Sequence, residues 1–247
     1  MEYNIENSKE QLEQIKTSAG DAAVELTDKQ ALQLLLFYHH LIEKNKVMNL
    51  TAITEFNDVL VKHFTDSLSL SRIYSPEKGE QIADLGSGAG FPGIPLKILW
   101  PETEFVLMDS LMKRVRFLEE TIQICDLKGI QAVHGRAEDL GHDKAYREKF
   151  NLCVSRAVAQ LASLSEYCLP LVKIGGCFAA YKAGDPADEI HSARKAIQKL
   201  GGEIEKVDTF TIGQEGYNRT LILIRKTSST PRIYPRKAGT PAKDPIH

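Results

Sequence analysis

Gln81-Ile-Ala-Asp-Leu-Gly-Ser-Gly-Ala-Gly-Phe-Pro-Gly-Ile-Pro95 carries the decision about fold. Ile82 to Leu85 reads as a short buried strand that runs into a glycine turn. Gly86, Gly88 and Gly90 have no Cβ, so the backbone can bend sharply and a ligand can lie against it. A helix is expected from about Pro92, because proline suits the first helical turn. Strand, glycine turn and helix together form the nucleotide-binding corner of a doubly wound sheet.

The ligand follows from what the turn lacks. A Walker loop needs Lys-Ser or Lys-Thr after its glycines, and neither is present. A dinucleotide fingerprint fits only as Gly88, Gly90 and Gly93, two residues late; in the earlier register Phe91 replaces the third glycine. Asp84 would repel a pyrophosphate at the strand end. S-adenosylmethionine (SAM) has no phosphate but carries an ammonium and a sulfonium, which suit that carboxylate. Asp84-Leu-Gly-Ser-Gly-Ala-Gly90 is similar to the first motif of class I SAM-dependent methyltransferases.

Working outward, the chain alternates strand and helix after residue 81. Strands are expected at 81–85, 104–108, 130–134, 150–155 and 176–181, with helices at about 92–100, 112–126, 159–169 and 186–200. This alternation implies an α/β fold with a parallel sheet covered on both faces. Two further strands, at about 203–212 and 219–226, are joined by Gly213-Gln-Glu-Gly216, too short for a parallel crossover. The expected fold is thus a Rossmann-like, seven-stranded, mostly parallel sheet ending in an antiparallel hairpin. Residues 1–75 read as an N-terminal helical extension, 76–226 as the SAM-binding domain and 227–247 as a basic tail. In the extension, Thr27-Asp-Lys-Gln30 fits a capping box. The helix after it has Leu32, Leu35, Leu36, Tyr38, Leu41 and Ile42 near helical spacing, and one further helix is expected from Glu55 to about Tyr74.

Composition sets the limits. The chain has 247 residues, a net charge of −2, 26% charged and 43% hydrophobic residues. That is ordinary soluble composition, so any RNA site must be a local patch. The cysteines Cys125, Cys153, Cys168 and Cys177 contain no C-x-x-C pair, and three of them sit in apolar runs and read as core thiols of a reducing cytosol. No signal peptide or apolar run of membrane-spanning length is evident. The histidines form no ligand pattern, so no metal site is expected.

Three strand ends carry candidate chemistry. Asp109 ends the second strand, where an acidic side chain can bind ribose hydroxyls or cap the next helix. Gly135-Arg-Ala-Glu-Asp139 follows the third strand, where methyltransferases place adenine; Glu138 can instead open a surface turn. Ser155-Arg-Ala157 ends the fourth, at the reaction corner, and Arg156 can serve there or pair with a nearby carboxylate. The Asn/Asp-Pro-Pro-Tyr/Phe clamp of amino methyltransferases is absent, and so is a Pro-Cys nucleophile. The acceptor should then need neither base nor nucleophile. Arg225, Lys226, Arg232, Arg236, Lys237 and Lys243, with Tyr234, can bind phosphates and stack on a base.

The combination resembles a known family. Asn49-Leu-Thr-Ala-Ile-Thr54, His63-Phe-Thr-Asp-Ser67, Asp84 to Gly93, Asp109-Ser-Leu-Met-Lys-Arg-Val-Arg-Phe-Leu118, Arg136-Ala-Glu138, Ser155-Arg-Ala157 and Tyr234-Pro-Arg-Lys-Ala-Gly-Thr-Pro241 closely resemble the RsmG, or GidB, family. That family methylates N7 of a guanosine in 16S ribosomal RNA. The resemblance runs from about Thr27 nearly to the end. It implies SAM contacts at Gly86, Phe91, Ala137, Glu138 and Arg156, beside Asp84, Gly88 and Asp109 from the motif reading, with Arg156 as the catalytic candidate. It implies 16S rRNA or a small-subunit precursor as partner, a cytoplasmic setting and a monomer.

Guanine N7 has a lone pair and no proton at neutral pH, so transfer to it is positioning rather than base catalysis. Arginine often reads guanine through O6 and N7, which here would block the nucleophile. The enzyme should hold O6 or the Watson–Crick edge and leave N7 free. Two rivals remain at this level: a small-molecule methyltransferase, and an RNA-binding or sensing module that holds SAM without turnover.

Overall fold

The computed structural model describes residues 5–156 and 159–246. Seven strands, β1 (Gln81–Leu85), β2 (Glu104–Asp109), β3 (Ile130–His134), β4 (Phe150–Ser155), β5 (Val172–Ala183), β6 (Gly202–Ile212) and β7 (Tyr217–Lys226), form one sheet in the order β3-β2-β1-β4-β5-β7-β6. β1 to β5 are parallel, while β7 runs antiparallel to both β5 and β6. The sheet reverses direction of growth at β1, which carries β2 on one side and β4 on the other. Ligands of open α/β sheets bind beyond the carboxyl ends of strands at such a switch point.

Helices cover both faces. α1 (Ile5–Gly20) and α2 (Asp28–Met48) come first, followed by short turns α3 (Phe56–Val59) and α4 (Asp66–Leu68). α5 (Gly93–Leu99), α6 (Met112–Ile124), α7 (Ala137–Leu140), α8 (Leu161–Cys168) and α9 (Ala187–Lys199) connect the strands, and α10 (Thr240–Lys243) lies in the tail. The expected capping box is present: the Thr27 hydroxyl accepts from Gln30 N, and the Gln30 side chain accepts from Thr27 N.

α2 buries Ala31, Leu34, Leu35, Phe37 and Leu41, while Leu32 is 47% exposed. The expected face was rotated. Residues 34–38 are all apolar, so periodicity alone does not fix its phase, and Ala31 marks the true one. The single helix expected over 55–74 is also replaced. A wide π-type stretch, Leu60–Thr65, sits between α3 and α4, and a 3₁₀ turn, Ser69–Arg72, follows. Ser67, Ser69 and Ser71 donate their hydroxyls to the carbonyls of His63, Asp66 and Leu68. Such bonds compete with the helical ladder.

The tail is not a free basic arm. Tyr234, Pro241 and Ile246 are buried, and the Arg147 guanidinium donates to the carbonyls of Thr230 and Tyr234. Arg236 clamps the fully buried Glu166 through Nε and Nη2, at 3.0 and 2.8 Å. A buried carboxylate needs a counter-charge more than a solvated arginine needs RNA. This corrects the reading of Tyr234 and Arg236 as RNA contacts; Arg232, Lys237 and Lys243 stay exposed. Arg236→Ala should therefore destabilise the fold by about 3 kcal/mol, the range for stranding one partner of a buried pair. Thermal unfolding checks this. An unchanged melting temperature with a reduced salt slope of rRNA binding would return Arg236 to the RNA surface.

All four cysteines are free and buried. Among the described residues no helix is long and apolar enough to cross a membrane.

Candidate active site

The β1 turn is built to leave space. Gly86 N and Ser87 N both donate to Met108 O, which ties the turn to β2. Gly86, Gly88 and Gly90 have φ of +78°, +58° and +92°, conformations that L side chains adopt at a cost. The surroundings separate them. A Cβ on Gly90 would meet Ile94 Cγ1 at 2.8 Å and Phe37 Cζ at 3.2 Å, whereas one on Gly86 would meet nothing within 4 Å. Gly90 is a packing glycine and Gly86 opens onto a cleft.

That cleft has a volume of about 550 Å³ and runs along the ends of β1, β2, β3 and β4. Of the residues expected from sequence, Gly86, Asp109, Ala137 and Glu138 line it. Asp109 is 97% buried (3% exposed). Its Oδ2 accepts from Gly88 N and its Oδ1 from Leu111 N, both at 2.9 Å. The N-cap position of α6 is Leu111, which makes no side-chain capping bond, and not Asp109. Asp109 instead braces the glycine turn, and an ionised carboxylate keeps lone pairs for further donors. Glu138 Oε1 accepts from Gly239 N at 2.9 Å, which brings the tail into the cleft wall. Leu111, Arg114, Tyr167 and Gly239 also line the cleft, and the sequence reading missed them. Leu111, Arg114 and Gly239 stand inside motifs quoted above, Arg114 five residues after Asp109, but nothing local marks Tyr167.

The other expected residues lie around the cleft. Gly88 contributes its N–H to Asp109. Phe91 is 5% exposed and packs in the core, its ring stacked on His63 at 4.4 Å with the Arg156 guanidinium 5.0 Å from its centre. Arg156 is not among the residues that line the cleft. It donates to Asp66 Oδ2 at 2.8 Å and Lys62 O at 3.1 Å. Its Nη2 lies 3.2 Å from His63 Nδ1, which must accept because arginine has no acceptor. Burial and the Arg156 charge push the His63 pKa down to about 3, so that imidazole stays neutral. Asp66 also accepts from Arg219 Nε at 2.9 Å. The carboxylate pairing weighed for Arg156 is therefore realised. Ala157, the last residue of that motif, lies outside the described residues.

Asp84 sits beneath the turn, fully buried. Its Oδ2 accepts from Gly93 N at 2.9 Å, and its Oδ1 has no hydrogen-bond partner among the described residues. Burial pushes its pKa from 3.8 up to about 7, against the Gly93 N–H, the Ser87 hydroxyl and the Arg156 charge, with Asp109 adding to the rise. The unfolded chain loses this proton near pH 4 and the folded chain near pH 7. Between these values the folded state holds the extra proton, so stability of the free protein falls as pH rises. A cationic ligand favours the ionised form. SAM binding should release a proton, and affinity should rise towards pH 7 by up to about tenfold per unit. Calorimetry in buffers of different ionisation enthalpy counts the proton. Asp84→Asn, which keeps an acceptor for Gly93, should abolish the release; an unchanged count would remove Asp84 from the cofactor's surroundings.

A glycine turn that opens onto the cleft, an orphaned buried carboxylate oxygen beneath it, and two acidic acceptors along it fit SAM. The cleft lining holds no histidine or cysteine. Its Ser155 hydroxyl donates to Leu85 O at 2.9 Å. Among the described residues no group of three or more His, Cys, Asp or Glu is placed to hold a metal ion.

Known proteins resemble this chain in sequence and in fold. The family model for GidB, described as rRNA small subunit methyltransferase G, matches residues 30–220. A protein of Lachnoclostridium phytofermentans named ribosomal RNA small subunit methyltransferase G is 49% identical over 223 residues, covering 90% of this chain and 92% of its own. A Brevibacillus brevis protein of the same name is 44% identical over 239 residues, covering 97% and 99%. Among solved structures, TYW2 of Pyrococcus horikoshii in complex with MeSAdo aligns with a TM-score of 0.53 at 14% identity, covering 66% of this chain and 62% of its own. The YcgJ protein of Bacillus subtilis aligns with 0.52 at 13%, covering 68% and 100%. At such identities the structural likeness speaks for the fold alone.

Proposed function

The chain belongs to the rRNA small subunit methyltransferase G family, and from that premise we propose that it methylates N7 of a specific guanosine in 16S rRNA, with SAM as methyl donor. The observation that carries the chemistry is a cleft at the switch point that opens at Gly86 and whose described lining holds no histidine base and no cysteine nucleophile, while its carboxylates Asp109 and Glu138 are engaged by backbone N–H groups. An acceptor nitrogen that bears no proton needs neither. Bound there, SAM would supply an electrophilic methyl group on its sulfonium, and a lone pair that carries no proton could take it with no group of the protein acting as base.

The chain's own residues bind and orient. Gly86 admits the donor against the backbone. Asp109 and Glu138 accept from its hydroxyl or amino groups while bracing Gly88 and Gly239. Ala137 lines the adenine side, and Asp84 sets charge beneath the turn. Phe91 and Arg156 act at one remove. Arg156, paired with Asp66 and set over Phe91, fixes the end of β4 against the N-terminal segment. An arginine so held is permanently charged and serves as a positioning cation rather than a base.

The substrate is 16S rRNA or a small-subunit precursor in the cytoplasm, bound by a monomer, with exposed Arg232, Lys237 and Lys243 as phosphate contacts. The test is labelled SAM with rRNA from cells lacking this protein, followed by nucleoside mass spectrometry. The expected product is 7-methylguanosine at one position, with a rate that stays flat above neutral pH. Methyl on N2, N6, C5 or a ribose oxygen would overturn the assignment.

A further inference from the structure

Beside the cofactor cleft lies a second, open cavity of about 650 Å³, lined by residues at the ends of β4 and β5 and the starts of α8 and α9. Ala159 lines both cavities. The polar end of the second is the pair Lys182 and Glu189, with Nζ 2.6 Å from Oε1 and side chains 11% and 29% exposed. Both are held in place. Lys182 Nζ donates to Ala159 O at 2.7 Å, and Glu189 Oε1 accepts from Leu161 N at 2.5 Å. Glu189 Oε2 is bonded by none of the described residues, and an ammonium has three N–H groups, of which these contacts use two. The cavity thus meets a third N–H donor beside a carboxylate acceptor.

We propose that this cavity receives the acceptor base, and that Lys182 and Glu189 together read the Watson–Crick edge of guanine. The inference rests on the guanine-N7 reading and names the site that makes the choice. Guanine presents O6 as acceptor, then N1–H and N2–H₂ as donors, which complements ammonium followed by carboxylate. Adenine and cytosine present the reverse at the first two positions, an amino donor against the ammonium and a lone pair against the carboxylate. Uracil matches two positions but sets O2 against the carboxylate. Lys182 is anchored on Ala159, the residue shared with the cofactor cleft. Guanine O6 held at Lys182 therefore turns the adjacent N7 towards that shared wall. Arg156 lines the same cavity, but its guanidinium is held by Asp66 and leaves N7 unblocked.

The test uses full-length protein and 16S rRNA rejoined by ligation, with guanosine or inosine at the mapped position. Inosine keeps O6, N1–H and N7 and lacks the N2 amino group. The parent should prefer guanosine by roughly tenfold in kcat/KM, within the range for one well-made base contact. Glu189→Gln should slow guanosine methylation, leave SAM affinity unchanged and bring the two substrates close to parity. A purely structural role would slow both substrates equally and preserve the ratio, which overturns the proposal. If Glu189→Gln does not fold, the parent alone decides, since equal rates on guanosine and inosine overturn it as well. A parent that forms no 7-methylguanosine on any rRNA removes the functional reading, and this pocket with it.

Discussion

Gly86→Val is expected to weaken SAM binding by at least about 100-fold, equivalent to about 2.7 kcal/mol, while the protein stays folded. The space beside Gly86 is empty of protein for 4 Å, so a valine side chain would meet ligand rather than core. The substitution also carries a backbone cost, because φ is +78° and an L residue there loses roughly 1–2 kcal/mol. Gly216→Val separates the two effects. Gly216 has φ of +67° and open space around its Cβ, but it lies in the β6–β7 turn, away from the cleft. Both variants should melt a few degrees below the parent, and only Gly86→Val should lose SAM in calorimetry. Equal SAM affinity in the two folded variants would move the ligand away from this turn.

Asp66→Ala is expected to be the most destabilising single change. Asp66 is 5% exposed and accepts from Arg156 on one oxygen and Arg219 on the other. Its removal strands two guanidiniums, each about four-fifths buried in its side chain. Stranding a partner of a buried pair costs about 3–5 kcal/mol. At roughly 2–4 °C per kcal/mol for a domain of this size, the melting temperature should fall by about 6–20 °C. Transfer should fall too, since Arg156 would no longer be held over Phe91. Asp66→Asn keeps one acceptor oxygen but sets its amide N–H₂ against the other guanidinium, so it should fall between Asp66→Ala and the parent. A drop below about 2 °C for Asp66→Ala would mean that water replaces the carboxylate and that the pairs do not organise the end of β4.

Most of the frame is legible in local sequence. β1, β3 and β4 occupy the residues expected of them. A four-residue turn between two strands left antiparallel pairing as its only outcome, and β6–β7 obeys. These features are local: spacing, a missing Cβ and a loop too short for a crossover act within a few residues. Gly86, Asp109, Ala137 and Glu138 were likewise legible, because strand ends are legible and the cleft is built on them.

Tertiary structure decided what depends on distant partners. The phase of α2 follows from what packs against Phe37, not from its apolar run. The wide stretch in 55–74 depends on serine hydroxyls finding carbonyls once the segment is in place. Arg156 and Asp66 are 90 residues apart in the chain, and Glu166 and Arg236 are 70. No spacing rule pairs them, since the choice belongs to burial: a carboxylate removed from water takes the nearest cation that folding delivers. The same desolvation raises Asp84, turns a tail that reads as basic and free into a packed strap, and moves Phe91 from the expected cleft into the core beneath it.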